Sequence, residues 1–220
     1  MITPVLSHAK TKSRILEAAG QEFAALGYES ARVREICRRA GVNLAAINYH
    51  FGDKAQLYHE AVFEAHRGGV DDLPDADWLE GTPAERLRRF VSHFLKRVLA
   101  IDHARSWHHE LMIREMMQPT QACAALVDAA IRPRFQRLRE IMRALAPDVD
   151  ERRLDALCFN VIGQCLFYKT ARAVTTRLIG EERLAQLSRE YLTEHITQSA
   201  LTVATRDWDT SAPPSHGGAP

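Results

Sequence analysis

The sequence predicts an all-α protein: an N-terminal three-helix, helix-turn-helix segment followed by a larger helical domain. Three observations predict it. β-branched alternation never runs beyond a few residues, while helix formers such as Ala, Leu, Arg and Glu are frequent. Apolar residues recur at three-to-four spacing through most of the chain. Two short helical patterns are joined by a tight turn containing glycine within the first 50 residues. At 220 residues, 46% of them hydrophobic, the chain is long enough to bury a substantial core.

The first helix is expected from about residue 7 or 9 to Leu26. Ile15, Ala18, Ala19, Phe23 and Leu26 make one apolar stripe, and Gly27 stops it. A second, short helix covers about Arg32 to Ala40, with Val33, Ile36, Cys37 and Ala40 inward. The turn is Ala40-Gly41-Val42-Asn43, and Asn43 caps a third, very short helix from Leu44 to His50. Asp53 caps a fourth, from Lys54 to about Arg67. Residues 68–83 combine Gly and Pro breakers with Asp71, Asp72, Asp75, Asp77 and Glu80, the pattern of a surface loop or hinge. Thr82-Pro83 with Glu85 opens a helix running to about Ala100. Later helices are expected at about 104–117, at 120–146 with a kink at Pro133, at 151–170, and at about 181–206. Residues 207–220, rich in Pro, Gly and Ser, read as a disordered tail. The expected division is therefore 1–53, 54–206 and the tail 207–220.

Charge narrows the function classes. Lys plus Arg is 29 and Asp plus Glu is 28, a formal net charge of +1. That excludes a uniformly basic nucleic-acid coat and a strongly acidic disordered chain. Residues 1–54 hold eight Lys/Arg against five Asp/Glu, a net of +3, which leaves −2 for the rest. The asymmetry has the sign that phosphate contact requires. Helix-turn-helix spacing puts the last short helix into the DNA major groove.

Cys37, Cys123, Cys158 and Cys165 lie singly in apolar helical patterns and read as reduced core thiols of a cytoplasmic protein. The first twelve residues carry no signal-peptide pattern, and no apolar stretch reaches membrane-spanning length. GxSxG, HExxH and CxxC are missing, so no enzyme is expected. His103, His108, His109 and Glu110 do not have metal spacing. Adjacent His108 and His109 point about 100° apart on a helix, so they read as solvent-facing, and neither metal nor cofactor is expected.

Gly27-Tyr28, Val33, Ile36, Ala40-Gly41-Val42 and Asn48-Tyr49-His50-Phe51-Gly52-Asp53-Lys54 together resemble the TetR family of transcriptional regulators. Arg114-Glu115-Met116, Gln118-Pro119-Thr120, Ile131-Arg132-Pro133 and the run Ile162 to Tyr168 resemble the C-terminal domain of its CecR (YbiH-like) branch. The resemblance implies base-facing positions at Leu44, Ala45, Ala46 and Asn48, after the cap Asn43. Asn can pair bidentately with adenine, whereas Leu and Ala offer apolar contact to thymine methyls. It implies phosphate contacts at Tyr49, His50 and Lys54, which fix register rather than sequence. Two positions depart from the common pattern. Ala31-Arg32 stand where Thr or Ser usually opens the second helix, so Ser30 is expected to cap one residue early and Arg32 to put a charge near phosphate. Asn48 replaces an aromatic, which implies a different operator. Arg34 either reaches the DNA or lies on a solvated face.

The helix 151–170 is apolar around most of its circumference, so it is expected to face both its own core and a partner. With the last helix it would form a four-helix homodimer bundle through Phe159, Ile162, Leu166, Phe167, Leu192 and Ile196. The middle helices would line a pocket for an unknown small-molecule effector, with Phe94, Trp107, Met112, Arg114, Met116, Cys123, Phe135 and Gln164 as candidates. The resulting expectation is a ligand-responsive regulator, most simply a repressor released from double-stranded operator DNA. A helical adaptor or ligand-binding protein without operator binding is the alternative.

Overall fold

The computed structural model describes residues 4–67, 80–99 and 106–206, whose regular structure is helical throughout. The helices are α1 (Pro4–Ser30), α2 (Val33–Ala40), α3 (Leu44–Phe51), α4 (Lys54–Arg67), α5 (Pro83–Leu99), α6 (Ser106–Met117), α7 (Gln121–Leu126), α8 (Arg132–Leu145), α9 (Glu151–Thr170), α10 (Arg172–Ile179), α11 (Glu181–Gln186) and α12 (Arg189–Ala204). Among the described residues, no helix is long and apolar enough to cross a membrane. The expected tail 207–220, most of the expected hinge and His103 lie outside the described residues.

The chain packs as two compact units, one of Met1–Asp72 with Ala100–Arg134, the other of Leu73–Leu99 with Phe135–Pro220. This is not the division at residue 53 that the sequence suggested. The reason lies in α4, whose Leu57, Tyr58, Ala61, Val62 and Ala65 share one core with Ile15 and Phe23 of α1, Ile36 of α2, Ile47 and Phe51 of α3, and Trp107, Leu111 and Leu126 of α6 and α7. The helix-turn-helix head is thus completed by segments that follow it at a distance in sequence.

In the first unit Gly27 breaks the first helix where expected, with φ 76° and ψ 173°, but a further turn to Ser30 follows the kink. Ser30 does not cap α2. The N-cap position is Arg32, without a side-chain cap, and its amide points to the buried carboxylate of Glu22 at 3.4 Å. Gly20 lets α6 approach α1 closely. A Cβ there would fall 2.3 Å from the Trp107 ring, whose Nε1 donates to Glu17 at 2.9 Å. His108 stacks on Trp107 with centroids 3.6 Å apart and is buried, contrary to the solvent-facing expectation. The expected break near Pro133 is a π turn at Val127–Ile131, just ahead of α8. Pro133 has no amide to donate, and a widened turn accommodates the missing bond.

The second unit has its own core of Leu87, Phe90, Val91 and Leu95 (α5), Leu138, Ile141 and Met142 (α8), Leu154, Leu157, Cys158, Val161 and Cys165 (α9), and Leu192, Ile196, Ala200 and Ala204 (α12). Thr82 and Glu85 form a reciprocal capping box, with Thr82 N to Glu85 Oε2 at 2.7 Å and Glu85 N to Thr82 Oγ1 at 3.3 Å. Asp150 caps α9 at 2.7 Å. The expected last helix is divided, since Ser188 caps α12 by accepting from the Tyr191 amide at 3.1 Å. Leu192 and Ile196, expected at a dimer interface, are instead buried in this unit's own core, because they pack against α5 and α9. The cysteines are free; Cys37, Cys158 and Cys165 are buried and Cys123 is half-buried. Burial pushes the Cys158 and Cys165 thiols up to about 12, which suppresses thiolate chemistry.

Candidate nucleic-acid interface

The turn between α2 and α3 is built by glycine and asparagine. Gly41 sits in the left-handed region (φ 61°, ψ 43°), and Val42 N donates to Cys37 O at 3.0 Å, closing the helix end. Arg14 of α1 reaches across and donates to the carbonyl of Ala40 and, at 3.4 Å, to that of Gly41. Asn43 then caps α3, its Oδ1 accepting from Ala46 N at 3.0 Å. Asp53 caps α4 by accepting from Gln56 N at 2.8 Å.

α3 is oriented by two anchors one turn apart. Ile47 and Phe51 are buried, which turns Leu44/Asn48 and Ala45/Tyr49 outward as two parallel ridges. Leu44 is 53% exposed and Tyr49 76% exposed, high values for large side chains that the core could have taken. Asn43, Ala45 and Asn48 are also exposed, while Ala46 and His50 are half-buried. The exposed strip has a carboxamide, small apolar surfaces and a phenol, groups that suit base edges and phosphates.

Charge around the strip is graded. Arg38 and Arg39 are tied to Glu35 (2.5 and 3.0 Å), and Arg39 also to Glu22 at 3.3 Å. Hydrogen bonds from Arg38 first and Arg39 second hold the Glu35 carboxyl down to about 2. Arg32 and Arg34 are exposed and, among the described residues, have no ion-pair partner. Their charge remains available to phosphate.

His50 lies against His8 of α1, with ring centroids 4.3 Å apart, and His8 meets Tyr49 edge-on at 5.6 Å. Burial, then the charges of His8 and Lys12, lower the His50 pKa below the usual imidazole value. Lys12 lies 5.5 Å over the Phe51 ring and pairs with Glu60 at 3.6 Å. Lys54 is half-buried; its Nζ donates to Glu29 O at 3.2 Å and sits 4.8 Å over the Tyr28 ring. His8, Lys12 and Arg14 were not among the sequence candidates. Their relation to α3 comes from packing between elements, although the spacing 8, 12, 15 on one helix would place His8 and Lys12 along the edge of the Ile15 face.

The expected pocket residues fall in both units. Trp107 and Arg114 have structural roles in the first: Arg114 donates from Nε to Ala24 O and from Nη2 to Ala25 O, both at 3.1 Å. Met112 and Cys123 are half-buried there and Met116 is exposed. In the second unit Phe94 stacks on Phe90 at 6.0 Å, Phe135 on Phe159 at 5.3 Å, and Gln164 donates to Asn160 on the same helix face. Of the expected interface residues, Phe159 and Phe167 are exposed and Ile162 and Leu166 half-buried.

Comparison with known proteins bears on the same segments. Residues 15–61 match the family described as bacterial regulatory proteins, tetR family. Residues 83–204 match the C-terminal domain of the HTH-type transcriptional dual regulator CecR. The CecR regulator of Shigella flexneri is 26% identical over 203 residues, covering 85% of this chain and 90% of that protein. The HTH-type transcriptional regulator AcrR of Shigella flexneri is 29% identical over 99 residues, so the match spans 45% of AcrR and 44% of this chain. Among solved structures, AibR in complex with isovaleryl coenzyme A and operator DNA shares the fold at a TM-score of 0.58 and 20% identity, covering 86% of this chain and 97% of that one.

Proposed function

Because the chain belongs to the TetR family of bacterial regulatory proteins and carries a CecR-type C-terminal domain, we propose that it reads a DNA operator through α3 as a homodimer and is released by a small molecule. The observation that carries the reading is the division of α3 into buried anchors, Ile47 and Phe51, and an exposed strip, Leu44, Ala45, Asn48 and Tyr49. Asn48 supplies the base-specific hydrogen bonds, Leu44 and Ala45 the apolar contacts, and Tyr49, His50, Arg32 and Arg34 the phosphate contacts. Lys54 contributes charge from the start of α4. Two copies would present two such helices at half-sites about 34–36 Å apart.

Repression is the simplest sign of action, since an occupied operator excludes other proteins. An effector that prefers a conformation with the wrong helix spacing shifts the population away from DNA, and a coupling of about 1–3 kcal/mol suffices. AibR, solved with both a coenzyme A thioester and operator DNA, supports such a dual-binding design in this fold. The proposed setting is cytoplasmic, and the proposed role is regulatory rather than catalytic. Selection of bound sequences from random DNA by the full chain tests the reading. Enrichment of a two-fold symmetric sequence is expected; no enrichment favours the helical adaptor.

A further inference from the structure

The segment Arg114-Glu115 to Pro119-Thr120 has no place in the interface above, yet Arg114 and Glu115 bond to α1 and α4 of the helix-turn-helix head. Glu115 is 1% exposed. Its Oε2 accepts from the hydroxyl of Tyr58 on α4. Its Oε1 accepts from Thr120 N at 2.8 Å and Thr120 Oγ1 at 2.7 Å, while Thr120 caps α7 by accepting from Ala122 N at 3.1 Å. A buried carboxylate with donors on both oxygens is a fixed point, because removing any donor leaves lone pairs out of reach of water. Burial first, and the bond to Glu115 second, push the Tyr58 hydroxyl above its usual range, so it remains a donor.

Tyr58 also belongs to the head. Its ring meets Phe23 edge-on at 4.8 Å and Tyr28 at 5.0 Å. One residue before Glu115, Arg114 holds the carbonyls of Ala24 and Ala25 beside the Gly27 kink. α6 therefore grips α1 through Arg114 and α4 through Glu115. Only Gly52-Asp53 separates α4 from the recognition helix α3. Where α4 is held therefore bears on the tilt of α3 against α1, together with the anchors Ile47 and Phe51.

We propose that Glu115 is a positioning residue for DNA reading: through Tyr58 it fixes α4, and with it α3, at the orientation in which Asn48 reaches a base edge. This rests on the operator-reading assignment above. A bidentate base contact tolerates little displacement, whereas phosphate contacts from long side chains tolerate more. Losing the bond is thus expected to damage discrimination more than bare DNA affinity.

The test uses the full chain and the DNA that the wild type selects from a random pool. Affinities for selected and random DNA are measured well below the melting temperature for wild type, Tyr58→Phe, Glu115→Gln and the double variant. Tyr58→Phe is expected to lose roughly tenfold on selected DNA and to change less than about twofold on random DNA. The double variant is expected to be no worse than the worse single one, as for two residues acting through one bond. Thr120→Ser, which keeps both Thr120 bonds, is expected to behave as wild type. Thr120→Val removes the hydroxyl's bond to Glu115 together with its cap on α7 and keeps the Thr120 amide bond, which supplies a second reading should Tyr58→Phe fail to fold. An unchanged ratio of selected to random affinity in the folded variants, even with a lowered melting temperature, reduces Glu115 to a support of the fold and overturns the proposal. A wild type that selects no sequence overturns the operator reading, and this proposal with it.

Discussion

Asn48 and His50 are two residues apart on α3 and, in the proposed operator reading, divide two tasks. Asn48 is exposed, and its carboxamide both donates and accepts, which suits adenine in the major groove. Asn48→Ala is expected to cost about 1–3 kcal/mol on the preferred base and nearly nothing on random DNA, as read by fluorescence anisotropy on both. Equal losses on the two would remove the base-reading role. Lys54→Ala is expected to weaken all sequences alike and to flatten the salt dependence by about one phosphate contact. It also loses the bond to Glu29 O and the contact with Tyr28, so its melting temperature should fall as well. His50 adds a pH dependence. Its folded pKa lies below the unfolded value of about 6.5, so the unfolded chain binds more protons in that window. Its contribution to stability is complete above about pH 6.5 and declines as pH falls toward the lowered value. A phosphate beside the ring has the opposite preference, since it favours imidazolium. DNA affinity should therefore rise between about pH 8 and about pH 5.5, and His50→Gln should remove His50's contribution to both trends.

Among the elements, the joints decide more than the helices do. Gly41 combines φ +61° with a neighbour, since a Cβ would lie 2.7 Å from Arg14 Nη2. The guanidinium is the far end of a flexible chain and can shift, so Gly41→Ala is expected to cost mainly the left-handed conformation, about 1–2 kcal/mol. Gly20 is different, because the obstacle is the packed Trp107 ring at 2.3 Å. Gly20→Ala should destabilise by about 1–3 kcal/mol or more in thermal or urea unfolding, and by much less in a Trp107→Ala background. Local chemistry of this kind was legible in the sequence. Asn43, Asp53 and Thr82 with Glu85 announced their caps, and the ends of α4 and α9 follow from polar starts and apolar periodicity. Where the sequence misled, the deciding partner was remote. Ser30 yields its expected role to Glu22, ten residues upstream of Arg32. The division at Ser188 has no Gly or Pro to mark it, and the short α10 follows α9 with only Ala171 between them. The candidate interface shows the same split. The exposed ridges of α3 follow from helical period, whereas His8 against His50 and Glu115 against Tyr58 depend on contacts that no local pattern encodes.

For the whole molecule the decisive question is which surface would join two copies in the proposed homodimer. In the second unit the core is filled by Leu157, Cys158, Val161 and Cys165 of α9 and by Leu192 and Ile196 of α12. Phe159 and Phe167 on α9 remain 61% and 51% exposed, and Tyr191 on α12 remains 55% exposed. Ile162 and Leu166 lie half-buried on α9, where Gly163 has no neighbour within 4 Å of an added Cβ. Large apolar groups left outside a satisfied core, on the two helices that the sequence nominated, are what an isologous interface would cover. Phe159→Asp with Phe167→Asp is expected to give a monomer by light scattering with little change in melting temperature per protomer. Leu192→Ala is expected to do the reverse, keeping the mass and lowering stability by about 2–5 kcal/mol, because it opens a cavity inside one unit. The monomeric variant should still bind a single half-site as the wild type does. On a two-half-site operator it should lose the advantage of the second, tethered contact, about 10²–10⁴ in affinity. An unchanged mass with the doubly charged variant would place the dimer contact on another surface, and half-site binding by that variant would show that α3 reads DNA without it.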